Sequence, residues 1–120
     1  MKLILIVDDK PELARIVTLY LSSSFHVMYK ENPIKAISWL NEGNIPDGII
    51  SDINMPEMNG EEFLRYLKNN ELFNQIPVIM LSSEDSSSTR IRLLEGGAED
   101  YMMKPFNPEE LKIKLRKFIK

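Results

Sequence analysis

Apolar positions along the chain alternate between short unbroken runs and longer stretches spaced every three or four residues. Leu3 to Val7 is an unbroken run, the pattern of a strand covered on both faces. After Asp8-Asp9, Pro11 suits the first turn of a helix, and Leu13, Ile16, Val17, Tyr20 and Leu21 recur as one helical stripe. His26 to Tyr29 reads as a weaker second strand. Asn32 can cap a helix with Pro33 at its first position, and Ile34, Ile37 and Leu40 follow at helical spacing until Gly43. Ile49 to Asp52 predicts a third strand. A third helix opens at Gly60, turns Phe63, Leu64 and Leu67 inward, and ends near Asn69-Asn70. Pro77 introduces a fourth strand, Val78 to Ser82. The polar, serine-rich stretch from Glu84 to Thr89 reads as a loop leading to a helix with Ile91, Leu94 and Ala98 on its packing side, its regular part ended by Gly96-Gly97. Tyr101 to Met103 is the last short strand. Asn107 and Pro108 start the last helix, whose core stripe is Leu111, Leu115, Phe118 and Ile119.

Five strand–helix units in strict alternation imply a parallel sheet with helices on both faces, because parallel neighbours need a crossover and crossovers are right-handed. All loops after the strands then open on one edge, where ligands of such sheets bind. Asp8, Asp9, Asp52, Ser82 and Lys104 each close an apolar run, so they converge there although far apart in sequence. Carboxylates brought together repel one another, and either share protons or recruit a cation. A hard, oxygen-rich site favours Mg²⁺, which is usually held by one or two carboxylates together with phosphate oxygens. The constellation thus points to Mg²⁺ and a phosphoryl group. A carboxylate can itself be the nucleophile and form an acyl phosphate. Lys104 can pair with a phosphoryl oxygen as a point charge, and the Ser82 hydroxyl can donate to another.

Composition narrows the reading. With 120 residues and 43% hydrophobic content the chain can bury one core, so residues 1–120 are expected to form a single domain. Fifteen basic against 18 acidic residues give a net charge of −3, and no block of like charge offers a grip for a nucleic-acid backbone. The absence of cysteine excludes disulfides and thiolate metal sites and is compatible with a reducing cytosol, so a cytoplasmic location is expected. Leu3 to Val7 is too short for a signal-peptide core or a membrane span.

Asp8-Asp9, the run Asp52-x-x-Met55-Pro56-x-Met58-x-Gly60, Ser82, and Lys104-Pro105-Phe106 together resemble the receiver (response regulator) domain of two-component phosphorelays. The likeness covers essentially the whole chain, with each motif in order at the end of its strand. It implies a flavodoxin-like, doubly wound five-stranded sheet in order 2-1-3-4-5 with five helices. It also implies a signalling phosphoacceptor rather than an enzyme, one that assists its own phosphorylation and autodephosphorylation. Asp52 would accept a phosphoryl group from a sensor histidine kinase or a phosphotransfer protein. Asp9 and Asp52 would ligate Mg²⁺ (or Mn²⁺) directly, Asp8 mainly through water, and the backbone carbonyl of Asn54 would complete the protein ligands. Lys104 would clamp the product beside a cis bond to Pro105.

In the family's switch, Ser82 follows the phosphoryl group inward and Tyr101 rotates from exposed to buried. The fourth helix, last strand and last helix then present an altered face to an output domain, a partner protein or a second phosphorylated copy. Leu93 and Ile113 fall off the core stripes of their helices and are candidates for that face. Ser82 replaces the family's more frequent Thr, and Ser83 stands where a small residue such as Ala is usual. Asn54 and Glu84, two residues beyond Asp52 and Ser82, resemble the pair in chemotaxis regulators with short-lived phosphoryl groups, which implies fast autodephosphorylation.

Blander roles exist for each residue alone. Asp8-Asp9 could serve a helix N-terminus, and Tyr101 could be core packing with a satisfied hydroxyl. His26 reads as a surface residue at a strand start, and Met80, Met102 and Met103 as core filler. Two other functions compete. A phosphatase of the haloacid dehalogenase type needs a second acid two residues after the nucleophile, where this chain has Asn54, and a cap domain for which there is no room. A receiver-like binding module without phosphorylation would not need every site residue, and here all are retained.

Overall fold

Every apolar run becomes a strand of one sheet in the computed structural model, which describes residues 1–119; Lys120, the last residue of the expected domain, lies outside the described residues. The strands β1 (Lys2–Val7), β2 (Phe25–Lys30), β3 (Gly48–Asp52), β4 (Val78–Ser82) and β5 (Asp100–Met103) pair in parallel, in the order β2-β1-β3-β4-β5. Between and after them run α1 (Pro11–Leu21), α2 (Pro33–Asn41), α3 (Gly60–Lys68), α4 (Ser87–Glu95) and α5 (Pro108–Phe118). This is the flavodoxin-like order expected from the sequence. The strand period of two sends side chains to opposite faces. Ile4, Ile6, Ile50 and Ile79 join Ala14, Val17, Leu21, Leu111 and Leu115 on the α1/α5 face, and Leu5, Val7, Ile49 and Met80 join Ala36, Leu40, Phe63 and Leu67 on the other. All of β3 and β4 is buried, which explains why those runs are unbroken rather than alternating.

Side-chain caps fix where helices begin. The Asn32 side chain accepts the Lys35 amide, Asn107 that of Glu109, and Asn59 forms a reciprocal capping box with Glu62 at the start of α3. That box defines the first residue after the loop that follows Asp52.

Helix phases differ from expectation at several positions. In α1 the buried residues are Ala14, Val17 and Leu21, so the inward face runs through the small Ala14 and leaves Ile16 and Tyr20 at the exposed edge. Ile34 is likewise exposed, and α2 packs through Pro33, Ala36, Trp39 and Leu40. The largest correction falls on α4. Ile91 and Leu94 are exposed, and Leu93, expected on the partner face, is buried at 1% exposure in the cluster that contains Leu64 and Phe63. With adjacent leucines in a nine-residue helix, the spacing admits either phase, and the cavity beside α3 selects Leu93. Ile113 is exposed, as expected of a residue off the α5 stripe. Met80 and Met102 are core residues, whereas Met103 turns outward at the end of β5. His26 is exposed. Among the described residues no helix is long and apolar enough to cross a membrane.

The α4 phase makes a simple test. Leu93→Ala is expected to lower unfolding free energy by about 2–5 kcal/mol and Leu94→Ala by less than about 1 kcal/mol, measured by urea denaturation.

Candidate functional site

The C-terminal ends of β1 and β3 are neighbours, so the residues that close them meet. Asp8 and Asp52 are buried, at 1% and 4% exposure, and Asp9 is exposed at the mouth. One carboxylate oxygen from each of Asp8, Asp9 and Asp52 lies within 4.8 Å of the others. Lys104, arriving from the end of β5, places its Nζ 3.0 Å from Asp8 Oδ2 and 3.2 Å from Asp52 Oδ1. Backbone amides aim the two buried acids: Lys10 N–H donates to Asp8 Oδ1 at 2.8 Å, and Ile53 N–H to Asp52 Oδ1 at 2.9 Å.

Charge at the site is not balanced: three carboxylates face the Lys104 ammonium and, at the rim, the more distant ammonium of Lys10, 3.9 Å from Asp9. Burial raises the Asp52 carboxyl above its ordinary value; the Lys104 ammonium pulls it down, and Asp8 pushes it up again. An all-oxygen set with excess negative charge fits a hard divalent cation such as Mg²⁺ rather than a thiophilic metal.

The loop after Asp52 is shaped by a close return of the chain. Gly60 N–H donates to the Ile53 carbonyl at 2.7 Å, and a Cβ on Gly60 would lie 2.1 Å from the Asp52 carbonyl oxygen. No side chain fits there. Between these points Met55 is buried as an anchor, Glu57 takes a left-handed conformation at φ 70°, and Met58 N–H donates to Pro56 O. Asn54 is exposed at the start of this loop.

Ser82 is fully buried, its Oγ accepting the Glu84 amide at 3.0 Å. Lys104 N–H donates to the Ser82 carbonyl at 2.6 Å, and the Lys104–Pro105 peptide is cis, as expected. The half-buried Tyr101 donates its hydroxyl to the Glu84 carbonyl at 2.7 Å, while Glu84 itself is exposed. Ser82 is therefore joined to Tyr101 through the two ends of one residue's backbone. An apolar groove of about 520 Å³ opens beside Lys104, lined by Leu13, Ile16, Pro105, Phe106 and Pro108.

Two contacts have no counterpart in the sequence reading. Glu61, in the first turn of α3, accepts from Arg92 of α4 at 2.7 and 3.0 Å in a bidentate pair. Tyr29 of β2 donates its hydroxyl to the Asp8 carbonyl at 2.7 Å. Both depend on how separate elements pack, and neither leaves a trace in residue spacing.

The family model for the response regulator receiver domain matches residues 4–116. The chain belongs to this family. Receiver domains act as phosphoacceptors in two-component signalling and generally use Mg²⁺, and the haloacid dehalogenase alternative falls with this assignment. The receiver is 36% identical to chemotaxis protein CheY1 of Helicobacter pylori, covering 93% of this chain and 92% of that protein. It is 35% identical to the phosphate regulon transcriptional regulatory protein PhoB of Escherichia coli, over 94% of this chain but 49% of that one. It spans 7% of the length of a hybrid signal transduction histidine kinase D from Dictyostelium discoideum. Among solved structures, the chemotaxis response regulator CheY4 of Vibrio cholerae superposes with a TM-score of 0.90 at 30% identity, covering 99% of each chain.

The raised Asp52 carboxyl predicts a pH-dependent stability. The fold favours the protonated form, so this contribution is fully present below the ordinary carboxylate value and is lost as pH rises through the raised folded value. At pH 7 and without metal, Asp52→Asn is expected to be more stable than the wild type, the advantage shrinking towards pH 4; urea denaturation at the two pH values reads the difference.

Proposed function

We propose that this receiver takes a phosphoryl group on Asp52, and that the modification changes the face formed by α4, β5 and α5. The observation that carries the reading is the convergence of Asp8, Asp9 and Asp52 within 4.8 Å, with Lys104 bridging the two buried acids. The donor is a sensor histidine kinase or a phosphotransfer protein. The ionised Asp52 oxygen bonds to phosphorus as the nitrogen–phosphorus bond of phosphohistidine breaks, and the imidazole keeps the electron pair. Such transfer is mostly positioning and charge compensation. Asp9, Asp52 and the Asn54 carbonyl would hold Mg²⁺ (or Mn²⁺), with Asp8 acting through water; when bound, the ion supplies charge compensation to the phosphoryl oxygens.

Lys104 is already beside Asp52 and exchanges a carboxylate partner for a phosphoryl oxygen. Ser82 rotates its hydroxyl to donate to another. That motion gives up the bond from the Glu84 amide, and Glu84 in turn holds the Tyr101 hydroxyl. Tyr101 is then released to turn inward. Ile91, Leu94, Met103 and Ile113 are exposed apolar side chains on the elements concerned, and they supply the contact area for an output domain, a partner protein or a second phosphorylated copy. Direct nucleic-acid or membrane contact is no part of this reading, and the domain, residues 1–120, would work in the cytoplasm.

Intact-mass spectrometry after incubation with acetyl phosphate and Mg²⁺ tests the assignment. A single phosphate adduct is expected for the wild type, and none for Asp52→Asn or with chelator. An adduct that survives Asp52→Asn would move the acceptor elsewhere, and no adduct under rapid quenching would favour a phosphorylation-independent binding module. Because Asn54 and Glu84 resemble the pair found with short-lived phosphoryl groups, decay followed in the same assay at neutral pH with Mg²⁺ is expected to be complete well before many hours have passed.

A further inference from the structure

Asp8 closes β1, and its backbone is held from β2 on both sides. Its N–H donates to the Lys30 carbonyl at 3.2 Å, and its carbonyl accepts the Tyr29 hydroxyl at 2.7 Å. The second of these bonds is made by a side chain, so a single substitution can remove it while the β1–β2 ladder stays intact. The carbonyl that Tyr29 holds belongs to the planar Asp8–Asp9 peptide, whose orientation sets ψ of Asp8 and φ of Asp9. It therefore aims the Asp9 side chain. Asp9 needs such help: among the described residues its carboxylate has one ion-pair contact, with Lys10 at 3.9 Å, and it stands exposed at the mouth of the site.

We infer that Tyr29 is a positioning residue of the cation site: its hydroxyl fixes the Asp8–Asp9 peptide so that Asp9 stands ready, with Asp8 and Asp52, to bind a divalent cation. The inference rests on the cation reading of the acidic cluster given above. Ring and hydroxyl do separate jobs. The ring packs on the cluster that contains Ile4, Ile6 and Ala14 and borders the surface of α1 at Pro11 and Thr18. The hydroxyl reaches past this packing to the strand end. A group that orients a ligand in this way acts on affinity, because without it the ligand must be ordered when the ion arrives.

Tyr29→Phe retains the ring and deletes the hydroxyl. Isothermal calorimetry of Mg²⁺ binding is expected to show a Kd weakened by about threefold to tenfold, the range for one orienting hydrogen bond. The acetyl phosphate reaction should show the same shift in the Mg²⁺ concentration needed, with the rate at saturating Mg²⁺ retained, the split expected when binding alone is weakened. A melting curve without metal reports the purely structural share. A lowered melting temperature with Mg²⁺ affinity unchanged would reduce Tyr29 to packing and overturn the inference. If the wild type itself binds no Mg²⁺, both this inference and the cation reading fall; if the wild type binds and Tyr29→Phe binds equally well, only this inference does.

Discussion

Like-charge repulsion at the ends of β1 and β3 is the constraint to which the rest of the structure answers. Two buried carboxylates and a third at the rim cannot be kept together unless something opposes their mutual repulsion and the loss of water. Lys104 provides part of the opposition, and it is brought there by the last strand, on the far side of β4. The parallel order matters for this reason. It brings the start and the end of the chain to one edge, so that an ammonium 96 residues away in sequence can bridge to Asp8. The remaining imbalance is what a divalent cation would offset.

Much of this is legible in the sequence, because a strand buried on both faces leaves an unbroken apolar run that stops abruptly. The polar residue at each stop marks the ligand edge of the sheet, and Asp8, Asp52 and Ser82 are found in that manner. The phase of the helices is less legible. In α4 the neighbours Leu93 and Leu94 satisfy helical spacing equally well, and the choice is made by the space beside Leu64, which the sequence does not display. In α1, the small Ala14 takes the inner position that larger residues on the stripe would suggest for themselves. The Tyr29 hydroxyl is invisible for a different reason. Its partner is a backbone carbonyl on another strand, and only the register Ile6 to Tyr29 brings the two within reach.

The site and the outer face are joined by few contacts. One residue, Glu84, carries a backbone bond to Ser82 on one side and to Tyr101 on the other. The helix beyond them, α4, has a single buried side chain and is pinned to α3 through the exposed pair of Arg92 with Glu61. With Leu93 as its one buried residue, α4 is held by far less burial than β3 and β4, which are buried throughout.

The tight return at Gly60 adds a direction to this arrangement. The chain passes so close behind Asp52 that its backbone has no slack, and Met80 closes the space from the neighbouring strand. A bulky group added to the carboxylate therefore cannot be accommodated by retreat of the strand that bears it. Such a group would extend away from this return, towards the mouth of the site where Asp9 and Lys104 stand. Gly60 thus forms a fixed wall behind Asp52, with the open side of the site facing it.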